Sequence, residues 1–385
     1  MRGAGDALGV PFFGIKKAVQ AFINRIAGPA DASVKEQCIW ALGNIAGDSA
    51  SCRDFLLHLN ILPHLLALTD SSVKQSLRRN AVWCISNLCR GKPIAPFEIV
   101  KTAVPRLIEL LHTPDDSSIV SDACWALSYL TDSEDHQIDY ILKYNAAPIV
   151  AQLLLSTEQI IQTPALRVVG NIVTGEDSHT DAIIQAGGLT NLKELLQYHN
   201  KKGVKREVCW TISNITAGTV EQIQKVMDED LFRYVLEELD SGEYDTRKEA
   251  AWAIANATSS GSESQVQFLV ESGCIESMCE LLTSPDSKIV LVCLEGLENI
   301  LDRGENIKYS LPDRRNPYAS KIEEIDGLDK IEELGNSKDS TVYAKAAHFI
   351  RKFNKYVDSE ESSMQPNPPV EFQFGAHSME SDYSF

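Results

Sequence analysis

The sequence predicts an all-α fold in which one helical unit is repeated and stacked along the chain. All five tryptophans of the 385 residues lie in the same short motif, and successive tryptophans are 43, 42, 85 and 42 residues apart. Within each motif the apolar residues follow the three-to-four-residue spacing of an amphipathic helix. A constant period of this length is typical of helical solenoids, whose units bury their apolar faces only against neighbouring units.

The repeated motif places a tryptophan one helical turn before an asparagine in most of its copies, and we call this pair of positions a rung. The 85-residue gap is a doubled period, because "PALRVVGNIVTGED" carries Arg167 in the tryptophan phase and Asn171 in the asparagine phase. The register therefore continues through the rung that lacks a tryptophan. The other copies read "EQCIWALGNIAGD" around Trp40, "NAVWCISNLCR" around Trp83, "DACWALSYLTD" around Trp125, "EVCWTISNITAG" around Trp210 and "EAAWAIANATS" around Trp252.

A second apolar segment lies between consecutive motifs. Examples are "ILPHLLALT", "AVPRLIELLHT", "APIVAQLLLS", "GLTNLKELLQ" and "CIESMCELLTS". A Gly, Pro or Asn cluster precedes most of these segments, and polar turns such as "TPDDSS" and "TSPDSK" follow them. Each unit is therefore predicted to contain a short helix, a longer helix, a turn and the motif helix.

The residues at the rung positions change beyond the motif around Trp252. In "VLVCLEGLENIL" Leu294 and Glu298 replace the tryptophan and the asparagine, so the core spacing continues while the rungs end. The segment "RGENIKYSLPDRRNPYAS" predicts a loop near residues 303–320, and a last helical unit follows it. We predict an unmatched segment over 1–15, a solenoid of about eight units over 16–356, and a disordered acidic tail over 357–385.

The rung residues are predicted to lie away from the apolar core. At about 100° per residue, Val208, Ile212 and Ile215 share one narrow arc, while Trp210 and Asn214 lie on nearly the opposite side of the helix. A single tryptophan is ordinarily a large core residue, but the same phase in successive motifs argues against that alternative. Stacked units would align these positions along one concave surface.

A row of indoles and amides suits an extended basic peptide. Indoles about 10 Å apart form slots for the aliphatic stems of Lys and Arg, with a cation–π attraction of roughly 0.5–2 kcal/mol each. Asparagine amides can accept from and donate to a peptide main chain. Selectivity for basic residues would come from carboxylates beside the slots, although each one alone is more simply explained as a solvated surface charge. The acidic residues that flank the motifs are Asp48, Asp122, Asp132, Asp177, Glu207 and Glu249.

Composition favours basic partners inside the cell. With 36 Lys and Arg against 54 Asp and Glu, the net charge is −18, which disfavours nucleic acid and anionic membranes as direct partners. The nine cysteines include no C-x-x-C pair, and we expect a reducing compartment. No stretch is long and apolar enough for a membrane span, and "MRGAGDALGVPFFG" lacks the apolar core of a signal peptide.

The motifs "WALGNIAGD", "WCISNLCR", "WALSYLTD", "LRVVGNIVTG" and "WTISNITAG", in this order and spacing, resemble the armadillo repeats of the importin-alpha (karyopherin-alpha) family of nuclear import adaptors. The similarity covers roughly residues 16–356 and includes Tyr129 and Arg167, which replace Asn and Trp as in the middle repeats of that family. It implies a right-handed superhelical solenoid of armadillo repeats. It also implies that an extended nuclear localisation signal runs antiparallel along the groove, and that the protein occurs in the cytoplasm and the nucleus.

The resemblance implies two binding sites for such signals. The major site lies over early repeats and the minor site over later ones. The implied major site comprises Trp40, Asn44, Asp48, Asn80, Trp83, Asn87, Asp122 and Trp125, with Tyr129 between the two sites. The implied minor site comprises Arg167, Asn171, Asp177, Glu207, Trp210, Ser213, Asn214, Glu249, Trp252 and Asn256.

The sequence departs from the family at its beginning. Members of the family start with a basic segment that binds importin-beta and with two repeats before the one equivalent to that of Trp40, and residues 1–15 match neither. We therefore expect an N-terminally truncated member, an incomplete major site, an intact minor site and no direct binding of importin-beta. Contact of the C-terminal repeats with the export receptor of the family is also expected.

No pattern predicts an enzyme, a cofactor or a metal site. The eight histidines have no metal-ligand spacing, and the chain has no glycine-rich phosphate loop and no assembled nucleophilic triad. The main alternative is an armadillo-repeat interaction scaffold without import activity. Such scaffolds usually present a basic groove to acidic ligands, so the acidic composition and the tryptophan rungs count against this alternative.

Overall fold

The computed structural model describes residues 11–113, 116–198, 201–312 and 314–358, and every regular element within these ranges is helical. The predicted all-α solenoid is therefore confirmed. Residues 1–10 of the predicted N-terminal segment and residues 359–385 of the predicted tail lie outside the described residues. No helix within the described ranges has both the length and the apolarity to cross a bilayer.

The repeating unit consists of two shorter helices followed by a longer motif helix, close to the predicted order. The motif helices are α2, α5, α8, α11, α14, α17 and α20 of the following set. In chain order the α-helices are α1 (Pro11–Ala27), α2 (Ala32–Asp48), α3 (Ala50–His58), α4 (Leu62–Leu66), α5 (Gln75–Cys89), α6 (Phe97–Val100), α7 (Val104–Leu110), α8 (Ser117–Thr131), α9 (Asp135–Leu142), α10 (Ala146–Leu153), α11 (Gln159–Ile172), α12 (Asp177–Gln185), α13 (Gly188–Tyr198), α14 (Lys202–Thr216), α15 (Val220–Asp228), α16 (Leu231–Ser241), α17 (Tyr244–Ser260), α18 (Glu263–Glu271), α19 (Cys274–Leu281), α20 (Ser287–Ile307), α21 (Pro317–Glu324), α22 (Gly327–Glu333) and α23 (Ser340–Asp358). Short 3₁₀ helices cover Lys101–Ala103, Lys308–Ser310 and Leu334–Asn336.

A residue with positive φ recurs at the turn between the two shorter helices of most units. Only glycine adopts this left-handed conformation freely, and Asn and Asp tolerate it better than other residues. This requirement explains the Gly and Asn clusters that the sequence shows before the second helices. The residues are Asn60 (φ 56°), Asn145 (60°), Gly187 (79°), Asp230 (57°), Gly273 (94°) and Asp326 (55°).

The compact unit formed by residues 1–300 is built around the stacked motif helices. Each of α5, α8, α11, α14 and α17 packs on the motif helix before it. Val208, Ile212 and Ile215 of α14 are fully buried, as the helical phase predicts. Burying such aliphatic side chains stabilises the fold by about 1.5–3 kcal/mol each.

Buried polar side chains link the first short helices of successive units. Gln222 of α15 donates from Nε2 to the carbonyl oxygen of Asp177 over 2.9 Å, and Gln265 of α18 donates to that of Val220 over 2.9 Å. His179 occupies the equivalent position of α12, and its Nε2 lies 3.0 Å from Oδ1 of Asp139. These bonds fix the stacking of the first short helices of successive units.

The second compact unit comprises residues 301–385, of which 301–312 and 314–358 are described. The loop predicted near 303–320 is shorter than expected, because α20 continues to Ile307 and α21 begins at Pro317. Asn316 is buried, its Oδ1 accepts from the main-chain N–H groups of Tyr318 and Ala319, and its Nδ2 donates to the carbonyl oxygen of Leu301 over 2.9 Å. The pair Asn316–Pro317 is thus a helix start rather than part of a loop.

Candidate functional site

Trp83 and Trp210 lie against the preceding motif helix. A Cβ atom added to Gly43 of α2 would lie 2.3 Å from Cζ3 of Trp83, and one added to Gly170 of α11 would lie 2.4 Å from Cζ3 of Trp210. No side chain fits at these distances. Each glycine therefore provides the surface on which the next indole rests.

The indoles are only partly withdrawn from solvent. Trp40 is 56% exposed and Trp252 is 38% exposed, whereas Trp83, Trp125 and Trp210 are half-buried. The prediction that these side chains lie outside the fully buried core is confirmed. Their common phase gives one face of the stacked motif helices, which we call the rung face.

The asparagines of the rungs join successive motif helices. Nδ2 of Asn87 donates to the carbonyl oxygen of Gly43 over 3.1 Å, and Nδ2 of Asn256 donates to that of Ser213 over 2.9 Å. Asn87 is only 9% exposed, so the expectation that these amides lie open on the surface is wrong for this rung. The neighbouring motif helix covers the side chain. An amide has two N–H groups and a carbonyl, so this single bond leaves capacity for a ligand.

Two asparagines differ from this pattern. Asn44 is exposed, and its Nδ2 donates to the carbonyl oxygen of Trp40 in its own helix over 3.0 Å. Nδ2 of Asn214 is buried and has no hydrogen-bond partner among the described residues. The rungs are therefore not equivalent, although their sequences are similar.

Three carboxylates lie one helical turn before a tryptophan on the rung face. Asp122 precedes Trp125, Glu207 precedes Trp210 and Glu249 precedes Trp252. Burial, with a smaller contribution from Asp116, raises the pKa of Asp122 to about 6.

Burial likewise raises the pKa values of Glu207 and Glu249. Asp122 and Glu249 are costly to ionise without a cation nearby, which suits them to contact Lys or Arg.

The other three predicted acids are exposed. Asp48 and Asp177 lie on the surface, and Asp132 pairs with Lys92 over 2.8 Å. The structure therefore separates the six candidates into three partly desolvated carboxylates and three solvated ones. Only the first set has the desolvation that strengthens a contact with a cation.

Arg167 takes the place of a tryptophan and contacts the next rung. Its Cζ lies 5.3 Å from the ring centroid of Trp210, its Nε lies 2.8 Å from Oε1 of Glu207, and its Nη2 lies 2.9 Å from Oε2 of the same carboxylate. A cavity of about 390 Å³, lined in part by Trp125, Arg167 and Glu207, lies beside this contact. The arrangement joins α11 and α14 through a cation, a ring and a carboxylate.

The remaining predicted site residues differ in their burial and in their contacts. The ring of Tyr129 stacks on that of Trp125 with centroids 6.0 Å apart, and burial raises the pKa of its hydroxyl. Asn80 is half-buried one turn before Trp83. Ser213 is buried, and its hydroxyl donates to the carbonyl oxygen of Trp210 in the same helix.

Apart from Ser213, the sequence analysis missed the small residue three positions after each tryptophan-phase residue. Gly43 and Gly170 seat the next indole, and the carbonyl oxygens of Gly43, Ser128 and Ser213 accept the asparagine amides. Every motif up to that of Trp252 has Gly, Ser or Ala at this position. That regularity was the available signal.

No group of His, Cys, Asp and Glu side chains within the described ranges could hold a metal ion. Burial raises the pKa values of Cys84, Cys124 and Cys209, so these thiols remain protonated. The rung face is consequently a surface of rings, amides and carboxylates suited to noncovalent binding.

Family models identify the repeats. The model described as "Armadillo/beta-catenin-like repeat" matches residues 49–90, 97–132, 177–217 and 262–302, and that described as "Atypical Arm repeat" matches residues 316–367. An engineered protein of known crystal structure, at 24% identity, superposes with a TM-score of 0.71 and covers 91% of this chain and 92% of its own. The predicted fold class of an armadillo-repeat solenoid is thereby confirmed.

Curated relatives extend the similarity to almost the whole chain. Importin subunit alpha-1b of Oryza sativa subsp. japonica is 43% identical over 93% of this chain and 67% of its own length. Importin subunit alpha-1a of the same organism is 44% identical over 90% of this chain and 65% of its own. Importin subunit alpha-4 of Arabidopsis thaliana is 45% identical over 93% and 67%. The chain spans about two thirds of the length of these relatives.

A solved structure also shows a ligand on a related fold. A designed armadillo repeat protein in complex with the peptide (KR)4 is 27% identical, with a TM-score of 0.59, and the match covers 65% of this chain and 99% of that protein. A repeat protein similar to this chain thus binds an alternating Lys-Arg peptide.

Proposed function

Because the chain belongs to the importin-alpha family, we propose that it is a nuclear import adaptor that binds extended, basic nuclear localisation signals of cargo proteins on its rung face. Members of this family are transport adaptors rather than enzymes, and the prediction that the chain is not an enzyme is confirmed. We also propose that the protein moves between the cytoplasm and the nucleus.

The observation that carries the proposal is the pairing of an indole with a desolvated carboxylate at the rungs of Trp125, Trp210 and Trp252. Burial raises the pKa values of the three carboxylates. Glu207 already pairs with Arg167, whereas at Asp122 and Glu249 a Lys or Arg head group would restore favourable interactions for the ionised form. The indoles would contact the aliphatic stem of the same side chain. Both contributions favour basic ligands.

The main chain of the ligand would be held by the asparagines. In the rungs of Asn87 and Asn256 the amide is fixed by its bond to the preceding motif helix. Such a preorganised amide loses little conformational entropy when it binds a peptide, and each net hydrogen bond contributes about 0.5–1.5 kcal/mol. These contacts are independent of ligand sequence. The designed armadillo protein that holds (KR)4 supports this mode of recognition.

We further propose that the later site is the stronger one in this chain. The rung of Trp252 has its amide bonded to α14, whereas Asn44 bonds within its own helix and Trp40 is 56% exposed. We expect an exposed rung, whose amide is not held by a neighbouring motif helix, to contribute less to affinity because it is less preorganised. The early site would therefore bind a basic ligand more weakly than the later site. We also propose that the C-terminal repeats contact an export receptor.

The test is a calorimetric titration of the 385-residue chain with two peptides of equal length. One is rich in lysine, and the other carries glutamate at every lysine position. We expect micromolar binding of the basic peptide, about −8 kcal/mol, and a loss of affinity with added salt. Preference for the acidic peptide would instead support the interaction scaffold and refute the proposal.

A further inference from the structure

Four aromatic side chains form a contiguous cluster on the first short helices of two successive units. Phe97 of α6 contacts the rings of His136 and Tyr140 of α9 edge to face, with centroids 5.8 and 5.6 Å apart. Tyr144, just beyond α9, continues the row, since its ring centroid is 5.4 Å from that of Tyr140 and the two hydroxyl oxygens are 3.1 Å apart. We call these four residues the aromatic cluster.

The aromatic cluster is partly exposed to solvent. The side chain of His136 is 61% exposed, Tyr144 is 38% exposed, and Phe97 and Tyr140 are half-buried. Contiguous exposed apolar surface on a protein typically marks a site that binds another protein. Aromatic residues are also enriched where proteins bind each other.

The stacking of the units does not require this cluster. Counted from the residue that caps each first short helix, Tyr140 and Tyr144 of α9 correspond to Ala182 and Ala186 of α12. In α15 both positions carry charged residues. Since these helices stack on their neighbours without aromatic residues at the two positions, the rings of α9 are not explained by packing between units.

An acid-lined cavity of about 560 Å³ adjoins the cluster at His136, and we call it the acidic cavity. Its lining residues are Ser133, Glu134, Asp135, His136, Asp139 and Glu176. None of its four carboxylates pairs with a Lys or Arg in the described part of the chain. Asp139 is held in place by buried His179, whose Nε2 lies 3.0 Å from Oδ1, so the second carboxylate oxygen is available to a ligand.

We propose that the aromatic cluster and the acidic cavity form a second docking surface, which binds a segment of a partner protein with an arginine next to an aromatic residue. Charge complementarity selects a cationic ligand, because the cavity brings four carboxylates together without a paired Lys or Arg. The nearby Lys101 does not offset them, since it lies 5.9 Å from the ring centroid of Tyr140 and is paired with Glu98. None of these residues belongs to a rung, so this surface would be occupied independently of the rung face.

Arginine suits this surface better than lysine does. Its planar guanidinium can pair with a carboxylate through two nitrogens and also stack on a ring. His136 belongs to both the cluster and the cavity, so a guanidinium in the cavity would lie beside an aromatic ring. The neighbouring aromatic residue of the ligand would pack on Tyr140 and Tyr144, because ring pairs prefer offset or edge-to-face contacts of the kind already present in the cluster.

The experiment titrates four fluorescently labelled peptides of equal length with the 385-residue chain and follows their anisotropy. One peptide carries a single Arg-Phe pair among Gly and Ser residues, and the others carry Lys-Phe, Glu-Phe or Arg-Ser at the same place. We expect the Arg-Phe peptide to bind with a Kd below about 1 mM and each of the others to bind at least about 3-fold more weakly. Absence of saturable binding below about 1 mM, or an equal Kd for any of the other three peptides, would overturn the inference.

Carboxylate variants test the acidic cavity. E134Q/D139N removes two charges from it, and the amide oxygen introduced at position 139 can still accept from His179. This variant should raise the Kd of the Arg-Phe peptide about 3-fold to 10-fold. E263Q/E271Q is the matched control, because it removes two exposed charges from the first short helix α18, and it should change the Kd less than about 2-fold. Equal effects of the two variants would mean that net charge alone acts, and would overturn the inference.

Ring variants test the aromatic cluster. Y140L/Y144L removes two rings but keeps apolar side chains, and it should raise the Kd of the Arg-Phe peptide at least about 3-fold. Y198L is its control, because Tyr198 of α13 is 71% exposed and lies outside the cluster, and it should leave the Kd unchanged. Circular dichroism shows whether each variant is folded. An unchanged Kd in folded Y140L/Y144L would overturn the inference.

Titration with (KR)4 separates this surface from the rung face. E134Q/D139N should bind (KR)4 within about 2-fold of the unchanged chain, whereas W210A/W252A should weaken (KR)4 and leave the Kd of the Arg-Phe peptide unchanged. Loss of Arg-Phe binding in W210A/W252A would place that peptide on the rung face and overturn the inference. Binding of (KR)4 without binding of the Arg-Phe peptide would overturn the inference and leave the proposed function standing, and the reverse result would overturn the proposed function alone.

Discussion

The side-chain amide of Asn171 donates to the main-chain carbonyl oxygen of Ser128 over 2.8 Å, joining two consecutive motif helices beneath the rung face. Bonds of the same kind link Asn256 to Ser213. The residues expected to hold a ligand main chain therefore also hold the repeats together. Because the same asparagines serve the binding surface and the packing of the repeats, substituting them should affect stability as well as affinity.

Asn171→Ala should lower the free energy of unfolding by about 0.5–1.5 kcal/mol, because it removes the bond to the carbonyl oxygen of Ser128, which still accepts from the main-chain N–H of Asp132 and the hydroxyl of Thr131. Urea unfolding at equilibrium measures the change. Asn44→Ala is the matched control, since Asn44 is exposed and bonds within its own helix, and it should cost less than about 0.5 kcal/mol. An equal cost for both variants would contradict the structural role of Asn171.

The contrast between these asparagines shows what helical phase can predict. The phase correctly separated Val208, Ile212 and Ile215 from the tryptophans, because the core lies on one side of every motif helix. It could not show that the adjacent motif helix covers Asn171, which is only 6% exposed. Contacts between repeats depend on how closely the helices approach, and the sequence of one helix does not contain that distance.

Arg167 is a second example of a residue whose position follows from the sequence but whose contacts do not. Its position in the tryptophan phase was readable from the spacing of the motifs, and so was Glu207 one turn before Trp210. Their ion pair was not predicted, because the partners lie on different helices and Glu207 has Arg206 beside it in the chain. Side-chain direction, rather than residue type, decides which pair forms.

Gly170→Ala should destabilise the chain by about 1–3 kcal/mol and weaken binding of basic peptides, because the new Cβ would lie 2.4 Å from Cζ3 of Trp210 and displace the indole. Gly203→Ala is the matched control. A Cβ at Gly203 meets nothing within 4 Å, and the residue lies in α14, so alanine should stabilise by up to about 1 kcal/mol. Thermal unfolding measures the stability of the two variants, and peptide titration measures their affinity. Equal peptide affinity in the two variants would show that the close contact between Gly170 and the indole of Trp210 is not needed for binding.

Affinity for a lysine-rich peptide should fall as the pH is lowered from 7 to 5. Burial raises the pKa of Asp122 to about 6, and a ligand cation favours the ionised form, so protonation opposes binding. The loss from this group should be up to about tenfold over that range. Asp122→Asn should show weaker binding at pH 7 and a smaller pH dependence. A pH profile as steep as that of the unchanged chain would contradict the role of Asp122.

The stability of the unliganded chain should respond to Asp122 in the opposite direction. The folded state holds the proton more tightly than an unfolded aspartate with its ordinary value of 3.8. The free energy of unfolding should therefore decrease as the pH rises from about 4 to 6 and lose this dependence above that range. Urea unfolding at several pH values measures this contribution, and Asp122→Asn should remove it.

The later rungs should contribute more to binding than the earlier ones. Removing both Trp210 and Trp252 should raise the Kd for a single-cluster lysine-rich peptide at least about tenfold, because the paired indoles and their carboxylates act together. Removing Trp40 and Trp83 should raise it less, since Trp40 is 56% exposed and its rung asparagine is not bonded to another motif helix. Calorimetric titration of the two double variants with one peptide decides the ranking, with circular dichroism to show that both remain folded. If the loss of Trp40 and Trp83 costs more, the early site is the functional one, and exposure of a rung does not limit its affinity.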